Sequence, residues 1–340
     1  MFGAASVPAW KPAVHIVSGA LADDEAERFL HRLRDGYKAP EIGLSEPEPL
    51  LVAGGLFAIV SATRGLLPAS VHTLPRLRWT QAFAGLTRTL IHADAANAPA
   101  LVIGNAGHAN YFHWLLQCVA AMLVHRLRGP ADMPLVIPAA AGWRRDVIDL
   151  FGIADPLVEV PPDTALAIDR GCVSNLTSGD YAFAPHPAVL ALFASRGERL
   201  AAGATRSRRL YLSRADTPAR RPLANEAALV DLLAKQGFDI VLAGALPLKD
   251  QIALIRQAAL VVAPHGAALT NLAWVGDGPD GPRVVELLPA GYLNRCFAKL
   301  AQAKRLDYTA VVNPREASGV HHHDTPWHVD LKFIARVLDF

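Results

Sequence analysis

Residues 260–271 read LVVAPHGAALTN, and this short tract constrains the fold more than any other part of the chain. Leu260, Val261, Val262 and Ala263 form an apolar run without polar alternation, the pattern of a strand buried on both faces of a parallel sheet. Pro264 ends the run. His265 and Gly266 then make a turn, and Ala267, Ala268, Leu269 and Thr270 open a helix whose first N–H groups point into the space beyond the strand. A helix start of this kind favours anions.

The flanking sequence repeats the grammar. Arg209 to Arg214 reads as a strand ending in Ser213 and Arg214, and Asn225 to Gln236 as a helix with Leu229, Leu232 and Leu233 on one face, closed by Gly237. Phe238 to Leu242 is a second strand. Pro247 starts a helix with Leu248, Ile252, Ile255 and Ala259 on one stripe, and Arg283 to Leu287 is the next strand. Strands alternating with helices predict right-handed crossovers and a parallel sheet, with ligands beyond the carboxyl ends of the strands.

The succession RLYLSR (209–214), RRPLANE (220–226), GFDIV (237–241), the helix at Gln251, APHGAALTN (263–271) and VVELLP (284–289) resembles glycosyltransferase family 61. The resemblance implies the glycosyltransferase B fold, an α/β architecture of two Rossmann-like domains facing across a cleft with a C-terminal helix that crosses back to the first domain. It also implies a nucleotide-sugar donor in the C-terminal domain, expected to be UDP-linked, inversion at the anomeric carbon and no required metal. A glycan or polysaccharide acceptor follows from the family's bacterial members.

Within that resemblance the donor-binding candidates are Arg214, His265, Gly266, Ala267, Ala268, Asn271 and Glu286. A leaving diphosphate gains charge as the glycosidic bond breaks, and a helix start with a nearby imidazole or guanidinium offsets it. Arg214 adds fork-like donors suited to phosphate oxygens. Glu286 interrupts an otherwise apolar strand, where a carboxylate needs a partner; a ribose diol is one candidate and an internal salt bridge the other. Arg220 and Arg221 precede the Asn225–Glu226 pair as paired arginines do in the family.

The stretch NYFHWLL (110–116) resembles the family's HW motif, which in many members continues with an Asp four residues after the His. Here that position is Gln117. Residues four apart share a helix face, so His113 and Gln117 point together, yet an amide cannot take the acceptor hydroxyl proton. Three readings stand: His113 is itself the base, Asp180 or His108 supplies it, or the protein binds a sugar nucleotide without turnover. His113 is preferred to Asp180. An epimerase on the same architecture is a further alternative.

At 340 residues, two domains are expected. The boundaries read as 1–200, an acceptor-binding domain with a strand-rich beginning; 208–312, the nucleotide-sugar domain; and 313–340, a tail with a terminal helix. Ala201 to Ser207 is the linker. Lys and Arg number 33 against 31 Asp and Glu, too even a balance for a nucleic-acid surface. No run of about 18 apolar residues is present to span a bilayer, and the N-terminus lacks a basic region followed by an apolar core. A cytoplasmic protein is expected, with peripheral membrane contact left open and the oligomeric state unassigned. Cys118, Cys172 and Cys296 read as reduced, buried thiols. The His321, His322, His323, Asp324 and His328 cluster reads as a solvated turn, since adjacent histidines seldom aim at one ion.

Overall fold

The computed structural model describes residues 2–74, 78–84, 86–91, 99–129, 133–154, 156–217, 220–315 and 325–339. The chain forms two compact units, one made of Met1–Ala5 and Lys38–Val189, the other of Ser6–Tyr37 and Leu190–Phe340. First in the chain come strands β1 (Ala5–Val7) and β2 (Ala13–Ile16), the helix Asp23–Arg34, and strand β3 (Tyr37–Ala39). Residues 6–37, read from sequence as the beginning of a first domain, belong to the second unit. The helix Pro187–Leu200 also enters it, with Phe193 edge-on to Trp274 at 5.4 Å, so the division falls ahead of the expected linker.

The first unit holds a mixed sheet. Its strands are β4 (Glu48–Ala53), β5 (Ala58–Ser61), β6 (Gly65–Leu66), β7 (Arg88–Ile91), β8 (Ala100–Val102), β9 (Leu135–Pro138), β10 (Leu157–Val160) and β11 (Thr164–Val173), in the order β10-β9-β8-β11-β4-β5-β6. β7 pairs with the first half of β11 and β8 with the second, both parallel. β8 and β9 are buried at every position, as the all-apolar run of a parallel strand requires. On the other side of β11, strands β4, β5 and β6 run antiparallel, joined by short turns that leave no room for a crossover helix. The Rossmann-like expectation thus holds for only half of this sheet.

After β8 the chain makes the turn GNAGHAN and enters one long helical stretch. Asn110 caps it, its side chain accepting from Phe112 N–H at 2.9 Å. The helix runs as α over Tyr111–His113, widens to a π-helical turn over Trp114–Val119, and returns to α over Ala120–Arg128. Such widened turns are rare and concentrate at functional sites. Here the widening coincides with the HW stretch.

The second unit carries β12 (Arg208–Leu212), β13 (Phe238–Val241), β14 (Ala258–Pro264), β15 (Arg283–Pro289) and β16 (Tyr308–Asn313), in the order β13-β12-β14-β15-β16-β2 and parallel throughout. Between β12 and β14 the strand order reverses direction, which places the topological switch point, the usual ligand position of such sheets, at their carboxyl ends. Leu229 and Leu233 of the helix Glu226–Lys235 and Ile252 and Ile255 of Leu248–Gln257 are buried, as their spacing predicts. β2 joins at the edge because Ala13–Ile16 pairs with Thr309–Val312. Lys299 Nζ fastens the following helix by donating to Leu33 O (3.2 Å) and Asp35 O (2.7 Å), meeting the negative end of the helix dipole. Burial lowers the Lys299 pKa to about 8. From the terminal helix Leu331–Val337, Ile334 joins the core of this unit that includes Tyr211, Leu229 and Val262, as do Trp327 and Leu338 on either side of that helix.

Candidate functional site

Two clusters of polar groups stand out, one in each unit. In the second unit Arg214 follows the end of β12. Its guanidinium donates through Nη1 to His265 O (3.0 Å) and through Nη2 to Arg220 O (3.1 Å). A Cβ on Gly266 would lie 2.3 Å from that Nη1, so glycine is what lets the guanidinium rest on the backbone turn after β14. Glu226 braces the strand end from below, where one carboxylate oxygen accepts from Tyr211 OH (2.9 Å), Ser213 Oγ (2.8 Å) and Arg214 N (3.1 Å).

Arg221 joins Arg214 there. It adopts φ +51, unusual for a side chain of its size, and its guanidinium carbon lies 4.5 Å from the Tyr292 ring centroid. Trp327, fully buried, holds that backbone by donating its indole N–H to Arg221 O (3.0 Å), while Asn225 exchanges hydrogen bonds with Val329. Desolvation, followed by the like charge of Arg221, lowers the Arg214 pKa to about 10. Two partly desolvated guanidiniums acting on each other raise the local positive potential at the switch point.

The turn itself behaves as the sequence implies in one respect and departs in another. Ala267–Trp274 is helical but of the tighter 3-10 form, with Leu269 N–H closing the first turn on Gly266 O at 3.0 Å. Ala267 and Ala268 occupy its start, half-buried, where N–H groups have no acceptor within the helix. Asn271 is buried and donates to Gln251 Oε1 at 3.1 Å, which ties the turn to the helix Leu248–Gln257.

Glu286 also departs from a ribose-binding role. It is 0% exposed, and both carboxylate oxygens are engaged: Oε1 with His265 Nδ1 at 2.5 Å and Oε2 with Tyr308 OH at 2.5 Å. The internal partner, not a ligand diol, is what makes a carboxylate tolerable in β15. A carboxylate only accepts, so His265 Nδ1 carries the hydrogen and Nε2 is the ring nitrogen left for other work. Burial lowers the His265 pKa against the pull of Glu286, with Arg221 and Arg214 adding to the lowering. The same burial pushes the Tyr308 phenol well up.

In the first unit His113 lies with Gln117, Asn105 and His72. His113 Nδ1 is 2.8 Å from Gln117 Oε1, and Asn105 Nδ2 donates to the same oxygen at 2.9 Å. The His72 ring sits edge-on to His113 at 5.2 Å, its Nδ1 donating to Ala69 O. Gly107 makes room for this arrangement, since a Cβ there would come within 2.7 Å of His113 Cδ2. Desolvation drives the His113 pKa to about 4, against the Gln117 hydrogen bond and helped by His72.

The other base candidates are placed differently. His108 has both nitrogens committed: Arg144 Nη1, which only donates, faces Nδ1 at 2.9 Å, so Nε2–H points to Gly55 O at 3.3 Å. Asp180 is exposed at the start of the short helix Asp180–Phe183, close enough to act electrostatically on His72. Sequence reading did not single out Asn105, Gly107, His72, Tyr308 or Trp327. Asn105 and Gly107 had a signal, the density of Gly and Asn before the HW stretch; Trp327 and Tyr308 had none. His321–Asp324 lie outside the described residues. Among the described residues no group of three or more His, Cys, Asp or Glu is placed to hold a metal ion, and no helix is long and apolar enough to cross a membrane.

An α/β chain with a wholly parallel sheet, arginines at its switch point and a helix start beside them falls in the class of folds that hold ligands beyond strand ends. The model of the family described as Glycosyltransferase 61 matches residues 111–284, just over half of the chain, and the protein belongs to glycosyltransferase family 61. The match takes in His113, Gln117, Asp180, Arg214 and the turn at 265–271, and ends just short of Glu286. A search of curated proteins finds no match. Membership makes the protein a glycosyltransferase, with a nucleotide sugar and a glycan acceptor as the partners the family implies.

Proposed function

We propose that the protein is an inverting glycosyltransferase that moves a sugar from a UDP-linked or similar nucleotide sugar to a glycan acceptor in surface polysaccharide synthesis. The observation that carries the reading is the Arg214 guanidinium laid on Gly266 where β12 and β14 part, with Arg221, His265 and the Ala267–Ala268 helix start around it. In this reading those groups hold the diphosphate, whose growing charge they offset as the bond to the anomeric carbon breaks. The chemistry needs no metal, because guanidinium, imidazole and main-chain N–H groups supply the positive field. The glycosyltransferase B arrangement and a cytoplasmic setting are parts of the same proposal.

His113 is the proposed base. Its pKa of about 4 puts it among ordinary carboxylates, so it matches in strength the Asp that many relatives carry four residues later. It is neutral at physiological pH and free to accept a proton. Gln117 itself favours the second reading, a sugar-nucleotide binder without turnover, because it removes the acidic group. Two measurements decide. Proton NMR of the product formed from donor and acceptor should show the anomeric configuration opposite to the donor's; retention defeats the mechanism, and binding without product across a broad acceptor panel favours the binder. Arg214→Ala should weaken nucleoside diphosphate binding in calorimetry by about 1.5 to 3 kcal/mol, the range for hydrogen bonds to a charged group.

A further inference from the structure

The His113 site is held by amides, and the hydrogen-bond pattern gives each amide one orientation. Ser178 O is a carbonyl and can only accept, so the Gln117 atom 2.6 Å from it is the NH2 nitrogen and the atom facing His113 is the oxygen. Thr177 O fixes Asn105 in the same way: its NH2 group lies 2.9 Å from that carbonyl and 2.9 Å from Gln117 Oε1, while its own oxygen accepts Gly107 N–H at 2.9 Å. Turning Gln117 over would set its oxygen against Ser178 O and its NH2 against the NH2 of Asn105. Both amides are fully buried, where such mismatches are costly.

The Gln117 oxygen has two lone pairs. One accepts from Asn105, and the other faces His113 Nδ1 at 2.8 Å. An acceptor there obliges Nδ1 to carry the ring hydrogen, which leaves the lone pair on Nε2.

We propose that Gln117, braced by Asn105, is a positioning residue that locks His113 in the Nδ1–H tautomer, so that Nε2 is the atom that takes the proton of the acceptor hydroxyl. The role of the hydroxyl rests on the glycosyl-transfer reading; the tautomer lock does not. In that step the hydroxyl oxygen bonds to the anomeric carbon, the bond from that carbon to the diphosphate oxygen breaks with its electron pair, and the hydroxyl proton passes to Nε2. A carboxylate at this position would fix the same tautomer and also stabilise the imidazolium by its charge, as the buried Asp does in a Ser-His-Asp triad. Gln117 keeps the geometry and withholds the charge. The titratable groups near His113 are His72, 5.2 Å away, and Asp180, which acts on His72.

Nitrogen-15 NMR of the full chain labelled in histidine, with His113→Gln to assign its signals, reads the tautomer. At neutral pH the His113 Nδ1 should be the protonated and Nε2 the bare nitrogen, and in Gln117→Leu the two forms should mix. An Nε2–H ring or an imidazolium in the unaltered protein overturns the proposal. In kinetics, Gln117→Leu should lower kcat about tenfold or more with donor KM unchanged, and Gln117→Glu should move the acid limb of the pH profile upward while restoring turnover. Wild-type kcat in Gln117→Leu overturns the positioning role. Turnover surviving His113→Ala overturns instead the base assignment and leaves the tautomer result standing.

Discussion

The His265 imidazole and the Glu286 carboxylate meet at 2.5 Å inside the second unit, with the carboxylate wholly removed from solvent. Tyr308 closes the carboxylate's other oxygen. The pair therefore acts from behind the turn at 265–268: Glu286 sets which nitrogen of His265 carries hydrogen, and it does so from the next strand of the sheet.

Replacing Glu286 by Ala strands two donors in the core, the His265 Nδ1–H and the Tyr308 hydroxyl. Each buried group left unsatisfied costs about 1 to 3 kcal/mol, so urea denaturation should show a loss of about 2 to 6 kcal/mol for Glu286→Ala. Glu286→Gln, which can still accept from His265, should lose less. Equal midpoints for Glu286→Ala and the unaltered protein would remove the buried network as an account of this strand.

Stability should fall on mild acidification. Burial lowers the pKa of His72, His108, His113 and His265 from the ordinary 6.5, to about 4 for His113. Below 6.5 the unfolded chain binds protons that the folded chain refuses, so this contribution is intact above pH 6.5 and is lost as the pH falls toward 4. Urea midpoints measured across that window should decline, and His113→Gln should flatten part of the slope. A flat profile between pH 6.5 and 4 contradicts the burial of these rings.

Gly107→Ala tests the packing behind His113. Its Cβ would come 2.7 Å from His113 Cδ2 and 2.8 Å from Cγ, with the Asn105 oxygen at 3.1 Å. The imidazole must shift, at a cost of about 1 to 3 kcal/mol for overpacking. Turnover should drop while nucleoside diphosphate affinity stays the same, because the proposed diphosphate site is built from residues of the other unit. Lost nucleotide affinity in a folded Gly107→Ala protein would mean the two sites are not separable.

Trp327→Ala removes a fully buried ring and the donor that holds Arg221 O. A large aromatic lost from a core costs about 3 to 5 kcal/mol, and the Arg221 backbone loses its restraint in a sparsely populated conformation. Weaker nucleoside diphosphate binding should accompany the lower stability. Trp327→Phe, which keeps most of the packing and drops the hydrogen bond, separates the two effects in calorimetry.

Apolar runs made the second sheet legible: β12, β14 and β15 lie where their sequences place them, and the switch-point turn follows from Pro264, His265 and Gly266. Long-range partners were not legible. Glu286 announced that it needed a partner, but periodicity could not choose between a ribose and the His265–Tyr308 pair, because Tyr308 sits in a strand of its own with no local mark. Gln117 read as a missing acid until the orientations forced by Ser178 O and Thr177 O turned it into a fixed acceptor. Ala13–Ile16 has a strand-like composition, yet nothing in four residues says that its neighbour is β16. In the first sheet the apolar runs 50–52 and 56–60 fall on β4 and β5, but nothing in those runs says that the two strands pair antiparallel.

Because β2 pairs with β16, its partner leaves the ribosome roughly 290 residues later, about 15 to 60 s at ordinary rates of synthesis. Through that interval the earliest-made edge of the second unit has no neighbour to accept its backbone. A nascent chain halted ahead of Tyr308 should hold residues 6–37 open to protease, and a circular permutant that joins the two ends and opens elsewhere should shorten the wait.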